Sequence, residues 1–328
     1  MTYHHQHSKK ETQDTRRNGM NQAKEIIVGL EKNADYHSVQ QAIQVIPETN
    51  QDWITIRVLE GIYEEVVTID KPYVKIVGEG ANKTKISFAN YAGMTNESGV
   101  RLGTNNSATV FINADHIAVE GVTFENSYYQ PGFDAMGRQA VAVNTIGDHV
   151  SFYNCSFLGR QDTLYVRDGS SYFEHCYIEG DIDFIFGACK AVFYQCELCS
   201  LSCGSKEENG YITAASTLAS QEEGFLFLDC NLTCDEHMPS NSVYLGRPWH
   251  PSSCKEPVCS KTVFVNCTMG EHIKEEGYTF MGSTLPETER YFEYGSSGFG
   301  AYKNDKRPQL TSEQALQYQK MVKELKDI

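Results

Sequence analysis

Two aspartates, Asp162 and Asp183, stand 21 residues apart, and each lies seven residues past a cysteine that follows a polar residue. That polar–cysteine pair recurs along the chain as Asn154-Cys155, His175-Cys176, Gln195-Cys196, Asp229-Cys230 and Asn266-Cys267. An alternating apolar stretch precedes each pair, such as Val150-Ser151-Phe152-Tyr153 or Phe225-Leu226-Phe227-Leu228. The cysteine intervals of 21, 20, 34 and 37 residues describe regular coils followed by coils with inserted loops, the signature of a stacked β-solenoid. Residues at one offset in such a repeat lie above one another, so the two aspartates share a column on adjacent coils. Parallel strands lie about 4.8 Å apart, which brings the carboxyl groups within roughly 5 Å.

Two carboxylates at that distance repel by roughly 3 kcal/mol at an effective dielectric of about 20, or about two pKa units shared across the pair. One therefore keeps its proton near neutrality while the other stays ionised. The ionised member can attack a carbonyl and the protonated one can donate to a leaving oxygen. Acyl chemistry also needs neutral donors for a developing oxyanion. Gln139, Gln161 and Asp183 follow one another at intervals of 22 residues, and the two glutamines supply such donors. A ladder of amides that merely hydrogen-bonds stacked turns would show the same spacing. Stacked aspartates are harder to explain that way, because like charges destabilise unless something compensates them. Arg247 in Leu245-Gly246-Arg247-Pro248-Trp249 can orient the ionised aspartate, and Trp249 can stack on a sugar ring. The same carboxylate spacing would also serve a retaining glycoside hydrolase, and a non-catalytic polysaccharide-binding solenoid is a third reading.

Elements that position these residues are legible on either side. Strand signals run from Trp53-Ile54-Thr55-Ile56 to about Phe264, and Ile117-Ala118-Val119, Val141-Ala142-Val143 and Val150-Ser151-Phe152 are separated by turns rather than helices. Short parallel strands without helical crossovers make a β-helix. The expected fold is all-β: a parallel β-helix over residues 25–310, right-handed by the general preference for such connections. A strand opens it at Glu25-Ile26-Ile27-Val28. The capping box Ser38-Val39-Gln40-Gln41 starts a helix whose apolar face, Val39, Ala42, Ile43 and Ile46, closes the end of the core before Pro47. Thr311 and Gln314 start a C-terminal helix over 311–328, with a stripe at Tyr318, Met321, Val322 and Leu325 that packs on the outside of the solenoid. Residues 1–24 are expected to be disordered.

Net charge of −15 argues against nucleic acid or an anionic membrane as partner, and mildly against a polyanionic substrate. The stretch 1–25 lacks the apolar core of a signal peptide, which points to a cytoplasmic chain, or an extracellular one if the natural start lies upstream. Eleven cysteines is an odd number, and five of them form an inward column where a free thiol behaves as a small hydrophobe, so a reducing compartment fits. Cys196, Cys199 and Cys203 have zinc-like spacing without a second ligand pair, and no metal is expected.

Taken together the motifs are specific. Gln139-Ala140-Val141-Ala142-Val143, Gln161-Asp162-Thr163-Leu164-Tyr165, Gly180-Asp181-Ile182-Asp183-Phe184-Ile185-Phe186-Gly187 and Leu245-Gly246-Arg247-Pro248-Trp249 resemble, in order and context, those of the pectin methylesterases. Gly61-Ile62-Tyr63-Glu64-Glu65 resembles that family's opening motif, so the likeness runs from about Ile26 to about Gly300. It implies a right-handed parallel β-helix that hydrolyses methyl esters of galacturonate units in pectin or oligogalacturonides, without cofactor or metal. It further implies Asp183 as nucleophile, Asp162 as general acid and later base, Gln139 and Gln161 as oxyanion donors, and Arg247 as the group that holds Asp183. Tyr165, Phe186 and Trp249 match sugar-contacting aromatics. Arg160 stands where many members have an aromatic residue and is expected to meet a neighbouring substrate carboxylate. Ala215-Ser216-Thr217 replaces the Gln and Arg common in plant enzymes, which resembles a bacterial branch.

Overall fold

The computed structural model describes residues 25–130 and 136–326; the stretch 1–24 expected to be disordered lies outside them. Strands from Glu25–Val28 to Arg290–Tyr294 stack into three sheets of ten, eight and seven strands. One coil shows the pattern: Val150–Tyr153 joins the first sheet, Ser156–Leu158 the second and Leu164–Val166 the third, each pairing in parallel with the coils before and after it. The chain is a right-handed parallel β-helix. The expected strand Val141–Val143 lies two residues further on, at Val143–Thr145, for a reason that bears on the site below.

The polar–cysteine pair marks the corner between the first and second sheets. Asn154, His175, Gln195, Asp229 and Asn266 all take a left-handed backbone, with φ between 52° and 54°. Polar residues with short side chains tolerate that region best, and the turn aims the following cysteine inward. Each buried thiol then donates to a carbonyl of the preceding coil, as Cys176 does to Phe152 O at 3.5 Å and Cys230 to Phe193 O at 3.3 Å. All eleven cysteines are free thiols.

Alternation along the first sheet drives one phenylalanine per coil into the core. Phe152, Phe173, Phe193, Phe227 and Phe264 stack face to face with ring centroids 4.5 to 4.8 Å apart. Phe173, fully buried between two of these rings, should cost about 3 to 5 kcal/mol when replaced by alanine, read as a fall in the denaturant midpoint without loss of the β-rich spectrum.

Both ends of this core are covered. Helix α1, Val39–Gln44, begins at Ser38, whose hydroxyl accepts the Gln41 amide at 3.1 Å, and buries Val39, Ala42 and Ile43 against the first coils. Glu65 of the opening motif accepts the Val39 and Gln40 amides at 3.0 and 2.9 Å, so a carboxylate sits at the positive end of the helix. At the far end Arg307 is fully buried and forks onto Glu293 at 2.8 and 2.6 Å, with a further bond to Gly300 O. Helix α2, Ser312–Lys326, starts at a reciprocal capping box between Thr311 and Gln314 and lays Ala315, Val322 and the flanking Tyr318, Met321 and Leu325 on the outer face of the first sheet.

Candidate active site

Asp162 lies at the approach to the third sheet, just before the strand Leu164–Val166, and Asp183 lies at the start of the next one, Ile182–Gly187. Leu164 pairs with Ile185, and each aspartate stands two residues before its member of that pair. Asp162 N donates to Ile182 O at 3.0 Å, which sets Asp162 opposite Asp183 on the next coil. Both aspartates have positive φ, 66° and 52°, a mildly strained backbone that side chains other than glycine adopt only where surroundings hold it. The expected shared column is present.

The series at 22 residues resolves differently. Ala142 N and Val143 N both donate to Thr163 O, at 2.7 and 3.4 Å, so one extra residue is accommodated before the strand Val143–Thr145. That extra residue is why the strand begins later than the sequence suggests. Ala140 N consequently donates to Gln161 O at 3.1 Å, which places Gln139 opposite Gln161 and Ala140 opposite Asp162. The glutamines form one column and the aspartates the next, so Asp183 does not continue the glutamine series.

Arg247 reaches this corner from the turn after the strand Val243–Gly246. Its Nε donates to Asp183 Oδ1 at 2.9 Å and its Nη2 to Oδ2 at 2.6 Å, while the guanidinium lies 4.0 Å from the centre of the Tyr211 ring. The planar fork is thus fixed by a carboxylate at its edge and an aromatic on its face. Asp183 is 6% and Asp162 7% exposed. Burial pushes both carboxyls above the usual range, but Arg247 counters it at Asp183 by direct hydrogen bonding. Asp162 has no protein hydrogen bond to its carboxyl among the described residues, and it is raised further, by burial first and by the Asp183 charge second. The pair is therefore unequal in the sense required of a nucleophile and an acid.

A cavity of about 290 Å3 opens over them, lined by Gln139, Gln161, Asp162, Asp183, Phe186, Arg247 and Trp249, and also by Thr104, Asn105, Ala214 and Met281. Neither glutamine amide has a side-chain hydrogen bond among the described residues, which leaves both free to meet a ligand. Phe186 and Trp249 form an apolar wall, with ring centroids 5.7 Å apart. Tyr165 stacks on Phe186 at 4.2 Å and is likewise buried, but it does not line the cavity. Arg160 is also elsewhere: its Nε donates to Asp181 at 3.1 Å and its Nη2 to Ser202 O at 2.9 Å, and these bonds hold it away from the cavity. Thr104, Asn105 and Met281 come from loops between coils and follow no repeat spacing. Only the polar cluster Thr104-Asn105-Asn106-Ser107 gave a sign of a turn.

An unequal carboxyl pair with one member forked by arginine, beneath two free amide donors, can pass an acyl group from an ester to a carboxylate and then to water. On this scaffold that defines a carboxylic ester hydrolase built on a parallel β-helix. The pectinesterase family model matches residues 25–324, and the chain belongs to the pectinesterase family. Pectinesterase QRT1 of Arabidopsis thaliana is 33% identical over 89% of this chain and 74% of its own length. Pectinesterase A of Dickeya dadantii is 34% identical over 86% of this chain and 85% of its own length. Among solved structures, pectin methylesterase PemA from Erwinia chrysanthemi superposes with a TM-score of 0.84 at 32% identity, covering 89% of this chain and 94% of that one. The carrot pectin methylesterase gives 0.75 at 27% identity, covering 89% of each chain. The three-dimensional likeness is thus greater to the bacterial enzyme than to the carrot one.

Proposed function

We propose that this chain removes methyl groups from methyl-esterified galacturonate units of pectin or oligogalacturonides, with Asp183 as nucleophile and Asp162 as acid and then base. The observation that carries the assignment is the bidentate Arg247–Asp183 pair beside an Asp162 whose carboxyl accepts no hydrogen bond from a cation among the described residues. Ionised Asp183 attacks the ester carbonyl carbon. The negative charge that develops on the carbonyl oxygen is met by the amide N–H groups of Gln139 and Gln161. As the intermediate collapses, the bond to the methoxy oxygen breaks and Asp162 gives it a proton, so methanol leaves and Asp183 is acylated. Asp162, now ionised, takes a proton from water as the hydroxyl attacks the acyl carbon. Asp183 then departs as a carboxylate, and Asp162 is again protonated. Phe186 and Trp249 provide an apolar face for a sugar ring and its methyl group.

The charge balance suits a substrate that loses a methyl. Methylated units are neutral, whereas each product unit carries a carboxylate, which a protein of net charge −15 repels. Defined methylated oligogalacturonides incubated with the protein should release methanol without new reducing ends. Reducing ends without methanol would identify a glycoside hydrolase, and no release across neutral pH would overturn the reading.

A further inference from the structure

One residue before the glutamines runs a column of charge. The register that sets Gln139 opposite Gln161 also sets Arg138 opposite Arg160, and on the third coil the Asp181 carboxylate meets both guanidiniums. Arg138 Nη2 and Arg160 Nε both donate to Asp181 Oδ2, at 2.7 and 3.1 Å, while Asp181 Oδ1 accepts the Ile182 amide at 2.7 Å. Asp181 N in turn donates to Arg160 O at 3.1 Å. Asp181 is fully buried and Arg138 only 4% exposed. Two cations and an amide replace the water that a buried carboxylate has lost, and removing Asp181 leaves two guanidiniums without their counter-charge. None of the three lines the cavity.

We propose that Arg138, Asp181 and Arg160 form a positioning clasp for the reaction, an ionic column on three consecutive coils that holds Gln139, Gln161 and Asp183 in register and fixes the charge balance beside the acid. The clasp rests on the reading of Asp162 as that acid. Asp162 is faced by Asp183 from the next coil, by Arg247 from the turn after Val243–Gly246, by Asp181 and Arg138 of the clasp, and by the Tyr165 hydroxyl. At Asp162 the two clasp members act with opposite sign: Asp181 disfavours the ionised form and Arg138 favours it.

Opposite signs give the clasp a test that loss of structure cannot mimic. Asp181→Asn leaves two guanidiniums without their carboxylate, so the alkaline limb of kcat for methanol release should move down by about one pH unit, the order expected of a unit charge roughly 10 Å away at an effective dielectric of about 20. Arg138→Gln should move it up by a similar amount. The double variant carries the same local net charge as the wild type, and its limb should return to the wild-type position. Arg160, whose side chain is 20% exposed, offers a milder change: Arg160→Gln should shift the limb in the same direction as Arg138→Gln, even where the latter does not fold. Active variants whose limbs stay in place, or all move the same way, overturn the clasp. A wild type that releases no methanol overturns the esterase reading instead, so the two failures are distinct.

Discussion

Asp183→Asn should lower kcat for methanol release by about 10⁴-fold or more while leaving KM within a few-fold, the pattern of a group whose contribution is confined to the transition state. The substitution keeps the shape of the side chain and one acceptor for Arg247, but removes the charge that attacks. It also turns an amide N–H₂ toward a guanidinium that now bonds at 2.9 and 2.6 Å, so Arg247 must give up half of its fork. The face of Arg247 remains on the Tyr211 ring, which limits how far the guanidinium can swing. Binding survives because Phe186, Trp249 and the two glutamines are untouched. A loss of less than about tenfold would mean that water, activated by Asp162, attacks the ester directly and that Asp183 only supports the site.

The sequence repeat carried the aspartate pair because its marker is tied to backbone geometry. Each polar residue before a cysteine takes the same left-handed turn, and a fixed corner makes the count of residues to the next sheet meaningful. Seven residues past each cysteine therefore fall at one place on consecutive coils. The glutamine series failed at its last member because a count cannot see the residue accommodated at Ala142, which changes the interval from 21 to 22 between two coils only. Arg138, Arg160 and Asp181 have those same intervals of 22 and 21, so the signal for the clasp was present in the sequence. It was obscured by Arg160, which as a single charged residue near the site reads as a substrate contact. Burial supplied the difference, since a fully buried Asp181 one coil away claims the nearest cations. The Glu65 cap on α1 and the Glu293–Arg307 closure had no repeat to announce them, because each joins parts of the chain that occur once.

Asp162→Asn should lower kcat on methyl esters by about 10² to 10⁴-fold, the range for loss of general acid–base help. Methanol is a poor leaving group, so its departure depends on the proton that Asp162 holds. In the wild type kcat should fall on the acid side as Asp183 takes up a proton, and on the alkaline side as pH rises through the raised pKa of Asp162. The asparagine cannot titrate, so the variant should lose the alkaline limb and keep the acid one. An aryl ester of an oligogalacturonide separates the two halves of the reaction, because its leaving group departs without a proton. On that substrate Asp162→Asn should release a burst of about one equivalent of phenol per enzyme and then stall, with Asp183 acylated and no base to activate water. Asp183→Asn should give no burst. Reversed behaviour of the two variants would exchange their roles, and with them the meaning of the Arg247 fork: it would then hold the acid rather than the nucleophile.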